Sequence, residues 1–296
     1  MTIVRARREC LRLSMNNLKL PPIFLFIGPL LAAVLGVYTV YTMDIPYSVF
    51  YPNFIGVLIG VPMVFFGWNL FHDKKLKRVM QLSAASVFLL LVCFIFPGPS
   101  DVHRWITFGS VSVNVSLVLV PAVLYCLHQF LHEKQILHGI ILFAAVSMIL
   151  GFQPDAGQAT AFCLAGLVVF FYNHIDTKIK FASFAIAAAA ITLAWLRVDL
   201  IEPVEYVEEI IYLISAFGPL GYLAIVVVSL FLFLPFIFLS LKRIETVRVL
   251  SISFIVYLAT AFFITEFGHY PVPVMGAGFS SVVGWYMMLM FVYRPY

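Results

Sequence analysis

The segment with the most chemical promise is Gln153-Pro154-Asp155-Ala156-Gly157-Gln158. Pro and Gly interrupt the apolar runs on either side, so Asp155 falls where a new helix begins. A carboxylate there is favoured by unpaired N–H groups and by the helix dipole. Two roles stay open for it. It caps the helix, or, as an ionisable group at membrane depth facing other helices, it binds substrate or a metal. A second carboxylate source is the stretch from Arg197 to Glu209, in which Glu202, Glu205, Glu208 and Glu209 crowd within eight residues. Mutual repulsion in such a cluster favours raising one pKa toward the range of a general base. His269 stands near Glu266, either as a ligand or proton relay or as an interfacial side chain. His128 and His132 are spaced i, i+4 and followed by Glu133, which matches neither His-Glu-x-x-His nor its inverse, so zinc chemistry is not expected there.

These residues sit in an apolar chain. Hydrophobic residues make up 63% of the 296 and charged residues 11%, and the mean hydropathy is +1.04. No water-soluble domain of this length carries such a composition without aggregating, so the bilayer is the solvent. Apolar runs fall at about 20 to 43, 48 to 71, 79 to 98, 106 to 131, 136 to 152, 157 to 174, 181 to 196, 219 to 241, 249 to 266 and 279 to 293. At roughly 20 residues per span, they predict an all-α, polytopic helical bundle of about ten transmembrane helices. Residues 1 to 296 form a single transmembrane domain, with 1 to 19 as a basic cytoplasmic segment. Pro62, Pro121 and Pro235 lie inside apolar runs and predict kinks, which neighbouring helices and waters tolerate.

Charge placement tests this count. Lys and Arg collect in cytoplasmic loops, and ten spans put every one of the 18 except Arg104 and Arg197 on the cytoplasmic side. Both termini are therefore expected in the cytoplasm. The cytoplasmic loops are expected at 72 to 78, 132 to 135, 174 to 180 and 242 to 248. The net charge of +4 reports this orientation and does not imply nucleic acid. The basic stretch at Lys74, Lys75, Lys77 and Arg78 is read first as a topology determinant and second as a contact for anionic membrane lipids. Arg104, beside Trp105, is either an interfacial anchor or a cation for a phosphate. The cysteines stand singly and form neither a disulfide framework nor a zinc pattern.

Three segments, in order, resemble the SEDS family, the RodA/FtsW-type glycan polymerases. Gln153 to Gln158 is similar to that family's Gln-Pro-Asp-Leu-Gly-Thr signature. His103-Arg104-Trp105-Ile106 followed by Gly109 resembles its Arg-Arg-Trp-Ile loop between helices three and four. Pro271-Val272-Pro273-Val274, then Gly276, Gly278, Ser280 and Ser281, resembles its Pro-Leu-Pro and Gly-Gly-Ser segment before the last helix. The resemblance covers nearly the whole chain and includes the ten-helix topology.

The resemblance implies glycosyl transfer between undecaprenyl-diphosphate-linked sugars such as lipid II, in the inner (plasma) membrane of a bacterium. A lipid-linked sugar precursor and a class B penicillin-binding transpeptidase are the implied partners. The chemistry needs a base for the acceptor hydroxyl and cations or a divalent metal for the departing diphosphate. The sequence fixes no cofactor. Aligning Gly218 and Gly221 with the family's glycines places Val207 where its loop aspartate stands, with Glu208 one step away. The expected catalytic set is Glu208, Asp155 and Glu205, and the expected substrate contacts are Arg104, Arg197, Trp105, Gln153, Ser280 and His269.

Departures weigh against chemistry. Ser215 and Ala216 replace paired glutamates. Asn114-Val115-Ser116-Leu117 and Val120 replace a Gln-Pro-Ser-Glu and a lysine. Tyr51, Pro52 and Asn53 hold no basic residue where one is expected. The leading expectation is a glycosyltransferase. A catalytically silent scaffold that binds a partner or lipid is the alternative, and a transporter of lipid-linked intermediates is the third.

Overall fold

The computed structural model describes residues 22–71, 76–96, 102–108, 111–198, 201–267 and 270–293. The basic segment 1 to 19, Lys74, Lys75 and His269 lie outside them.

The chain forms twelve α-helices among these residues. Two are short, α1 (Pro22–Phe26) and α9 (Ile210–Ser215). The others are α2 (Gly28–Thr42), α3 (Tyr51–Phe71), α4 (Leu76–Val92), α5 (Val115–His132), α6 (Ile136–Phe152), α7 (Ala156–Tyr172), α8 (Thr177–Trp195), α10 (Pro219–Ser240), α11 (Glu245–Ile264) and α12 (Phe279–Val292). Six helices are long and apolar enough to cross a membrane, and α2, α6, α7 and α12 are shorter apolar helices. At 1.5 Å per residue, a helix of 20 residues covers the roughly 30 Å of a hydrocarbon core. This is a multi-pass helical membrane protein.

Most connections are short and turn successive helices antiparallel, and the bundle has two ends of different chemistry. Lys77, Arg78, Lys134, Lys178, Lys180, Lys242, Arg243 and Arg248 mark a basic end, and Asp44, Asp155, Glu202 to Glu209 and Glu266 mark an acidic end. Helices α5, α7 and α12 are buried along most of their length. Trp285 and Tyr286 of α12 are fully buried, and the Trp285 indole N–H donates to the Leu232 carbonyl at 3.1 Å. Between α12 and α5, Gly284 lies directly against the Leu117 carbonyl. In lipid, where apolar burial does not drive association, small residues at such crossings let the backbones approach. Pro62, Pro121 and Pro235 sit within continuous helices.

One expected span begins differently. The first residues of the run 106 to 131 form a two-stranded hairpin, β1 (Trp105–Phe108) and β2 (Val111–Asn114), antiparallel with Trp105 opposite Asn114 and Ile106 opposite Val113. Trp-Ile-Thr-Phe and Val-Ser-Val-Asn are β-branched and aromatic stretches suited to a pleated strand, a pattern that a plain count of apolar residues cannot see. Helix α5 starts only at Val115. Its cap is Asn114, whose Oδ1 accepts from the Leu117 N–H at 3.2 Å and from the Ser116 hydroxyl at 2.7 Å. The all-α expectation holds apart from this hairpin.

Candidate functional site

At the acidic end, loops and the starts of α3, α5, α7 and α12 converge on one buried polar network. Its first component is built by the break at Pro154. Asp155 caps α7, its Oδ1 accepting from the Gln158 N–H at 3.1 Å. Asp155 is also buried at 2% exposure and faces Arg104, itself buried at 3%, with Nη1 to Oδ1 at 3.7 Å. The cap reading is realised, and the same side chain also pairs with Arg104, a partnership the sequence did not suggest. Arg104 stands at the foot of the hairpin, where its carbonyl accepts from the Val115 N–H and its guanidinium lies 4.8 Å from the Trp105 ring centroid. The expectation of an interfacial anchor is corrected, because the hairpin turns Arg104 inward onto a carboxylate that neutralises it.

Gln158 links this pair to the rest. Its Nε2 donates to the Ser116 carbonyl at 3.1 Å, and its Oε1 accepts from the hydroxyls of Tyr257 on α11 and Tyr270 in the last loop. The Tyr270 ring lies against Gly157, where a Cβ would overlap it. Burial, with Tyr257 and Asp155 nearby, pushes the Tyr270 hydroxyl well above its ordinary pKa although Arg104 pulls it down. It therefore stays a proton donor.

The segment 271–278 continues the network. Asn53, at the start of α3, donates from Nδ2 to the Gly276 carbonyl at 3.0 Å and accepts at Oδ1 from the Gly278 N–H at 2.8 Å. Ser280 Oγ accepts from the Asn114 N–H at 2.9 Å, which places this expected substrate contact at the foot of the hairpin. The glutamate-rich turn docks on the same segment by its backbone. The Val272 N–H donates to the Val207 carbonyl at 3.1 Å and the Ala277 N–H to the Tyr206 carbonyl at 2.9 Å.

The side chains expected to do chemistry there are placed otherwise. Glu208 is half-buried and its Oε2 accepts from the Val204 N–H at 2.8 Å, while Glu205 is exposed. The carboxylates of Asp155 and the glutamate turn meet through the 270–278 segment and not face to face. Arg197 is exposed, over the Phe152 ring at 5.7 Å. Gln153 is buried and donates to the Leu90 carbonyl at 2.9 Å, tying α6 to the end of α4. Among the described residues no three His, Cys, Asp or Glu side chains come together as a metal site. Asp155 faces a guanidinium instead, so the donors do not fit a divalent cation.

Sequence reasoning missed Gln158, Tyr257, Tyr270 and Asn53 as a set. The available signal was an amide, two tyrosines and an asparagine at the ends of apolar runs, where buried polar groups must find partners. Beside the network, a groove of about 690 Å³ opens between α7, α8 and α11, lined by Thr160, Leu164, Trp195, Thr260 and Phe263 among others. The Trp195 indole N–H donates to Thr160 Oγ1 at 3.0 Å within it.

The class defined here is a polytopic membrane bundle whose loops gather at one end over a buried ion pair. Comparison gives it a more particular form. No family model matches the sequence, and no curated relative does. Among solved structures the chain is similar to the rod shape determining protein RodA of Thermus thermophilus, with a TM-score of 0.70 and 16% identity over 91% of this chain and 94% of that one. An aspartate-to-alanine variant of that protein matches equally, over 95% of its chain. The fold is that of RodA, the one that the SEDS resemblance implies.

Proposed function

We propose that this protein is a SEDS-type subunit of bacterial envelope glycan assembly. In this reading it binds a lipid-diphosphate-linked sugar at the outer face of the inner membrane, and it acts as a binding or docking scaffold and not as a polymerase. The RodA fold and the three motif segments converging on one network support the family and its ligand class. The basic end, by the positive-inside rule, faces the cytoplasm, which puts the network on the outer side and both termini inside. The groove beside it suits an isoprenoid chain. A class B penicillin-binding transpeptidase is the proposed partner.

The observation that carries the scaffold reading is the Arg104–Asp155 pair. Transfer from a lipid diphosphate needs a cation free for the leaving group and a base free for the acceptor. Arg104 is already matched by a carboxylate, so a diphosphate bound there meets a cation whose charge is largely offset. Val207 stands at the position expected for the loop acid and uses its carbonyl to hold Val272, and Glu208 is turned back onto Val204.

Glycosyl transfer with Glu208 as base is the second reading. What favours it is that Glu208 is half-buried at the very turn that docks on 271–278. Binding of lipid II to the purified protein in nanodiscs tests the proposal. Saturable binding that weakens at least tenfold in Arg104→Gln is expected, and no binding by the parent protein would contradict it.

A further inference from the structure

The Arg104 guanidinium is the natural seat for an anionic headgroup, yet it is sealed. Linked to it through Gln158 is a loop, Tyr270 to Gly278, and the way that loop is fastened is specific. At one end the Tyr270 ring lies on Gly157, a position where any other residue would push it off, and its hydroxyl reaches Gln158, the residue whose N–H holds Asp155. Through Gln158 the hydroxyl is therefore one residue removed from the Asp155–Arg104 pair. At the other end the single side chain of Asn53 grips Gly276 and Gly278. In between, two backbone hydrogen bonds fasten the loop to Tyr206 and Val207, with Gly276 directly against the Val207 carbonyl.

The middle of this loop is strained. Val274 has φ of 64°, a left-handed conformation that a β-branched residue adopts only when its surroundings impose it. Val274 and Met275 are nonetheless buried. The strain stored at Val274 is held by a few discrete fastenings and favours release once they are undone.

We propose that residues 270–278 form a releasable strap, and that detaching Tyr270 from Gly157 and Gln158 is the step that lets a lipid-linked diphosphate reach Arg104. This rests on the lipid-diphosphate reading given above and adds its gating. In the fastened state Asp155 occupies the cation; on release the headgroup competes with Asp155 for it. The fastenings then set the apparent affinity, because a site open only part of the time binds more weakly by that fraction.

The test uses the full chain in liposomes, with Cys10 replaced by serine and Ser280→Cys as reporter. Ser280 is buried two residues beyond the strap, on the Asn114 N–H, and Cys93, Cys126 and Cys163 are buried. Reaction with a membrane-impermeant maleimide is followed in this background and with Tyr270→Phe or Asn53→Ala added. In parallel, binding of undecaprenyl diphosphate is measured with the native Ser280. Each loosening variant is expected to raise the labelling rate and tighten binding by about tenfold, the scale expected when a mostly closed site is freed. Labelling and affinity unchanged in both variants would make the segment a fixed plug and overturn the proposal. Faster labelling without binding in any variant would keep the strap and remove the lipid-diphosphate reading instead.

Discussion

Arg104 and Asp155 lie 3.7 Å apart with both side chains withdrawn from the surface. The sequence suggests a separate task for each. Joined, they form a neutral buried pair, and the cost of breaking it falls on whichever charge is left behind. Arg104→Gln or Asp155→Asn alone is expected to destabilise by about 3–5 kcal/mol, the usual scale for an orphaned buried charge. Asp155→Asn keeps the cap, since the amide oxygen still accepts from Gln158. The double variant is expected to recover most of the loss, read as a strongly non-additive cycle in detergent unfolding. Additive losses would mean that the two residues act apart.

Gly157→Ala places a methyl where the Tyr270 ring lies. The expected cost is about 1–3 kcal/mol, typical of overpacking. Combining it with Tyr270→Ala should cost less than the sum of the two single changes, because the clash partner is gone. Thermal unfolding of the four proteins checks this.

Glu208→Gln separates the two functional readings. A scaffold is expected to bind lipid II unchanged, because the amide oxygen can still accept from Val204. If glycan polymerisation is found instead, that substitution should lower turnover by about two orders of magnitude, the scale for loss of a general base. Glu205→Gln, on an exposed side chain, and Glu209→Gln should then do much less.

Orientation is checked by cysteine labelling at Leu76 and Ile244, which flank the basic end. Impermeant reagent outside intact cells is expected to leave both unmodified, and modification of either would reverse the assignment of the acidic end to the outside.

The spans were legible because apolar length and charge placement are one-dimensional signals. The apolar runs fall on the six span-length helices and the four shorter apolar ones, and the break at Pro154 gave the α7 cap to the residue. The hairpin was not legible, since Trp105 to Asn114 carries strand chemistry inside an apolar run. Of the two readings of Arg104, the anchor failed for the same reason: it assumes a helix end at the interface, whereas the hairpin folds the side chain inward. The network of Gln158, Tyr257, Tyr270 and Asn53 joins residues separated by up to 225 positions, and such pairing is set by helix packing that local patterns do not encode. The single-residue offset between Val207 and Glu208 was visible in the sequence. Its consequence, a carbonyl spent on Val272 and a carboxylate turned to Val204, was not.

The central claim is that this protein binds lipid-linked sugar without polymerising it. The direct measurement is incubation of the purified protein in nanodiscs with lipid II, with and without a class B transpeptidase, following both retention of lipid II and glycan length. Saturable retention with no product longer than the input disaccharide is predicted in both cases. Glycan chains that form with the parent protein and disappear with Glu208→Gln would contradict the account.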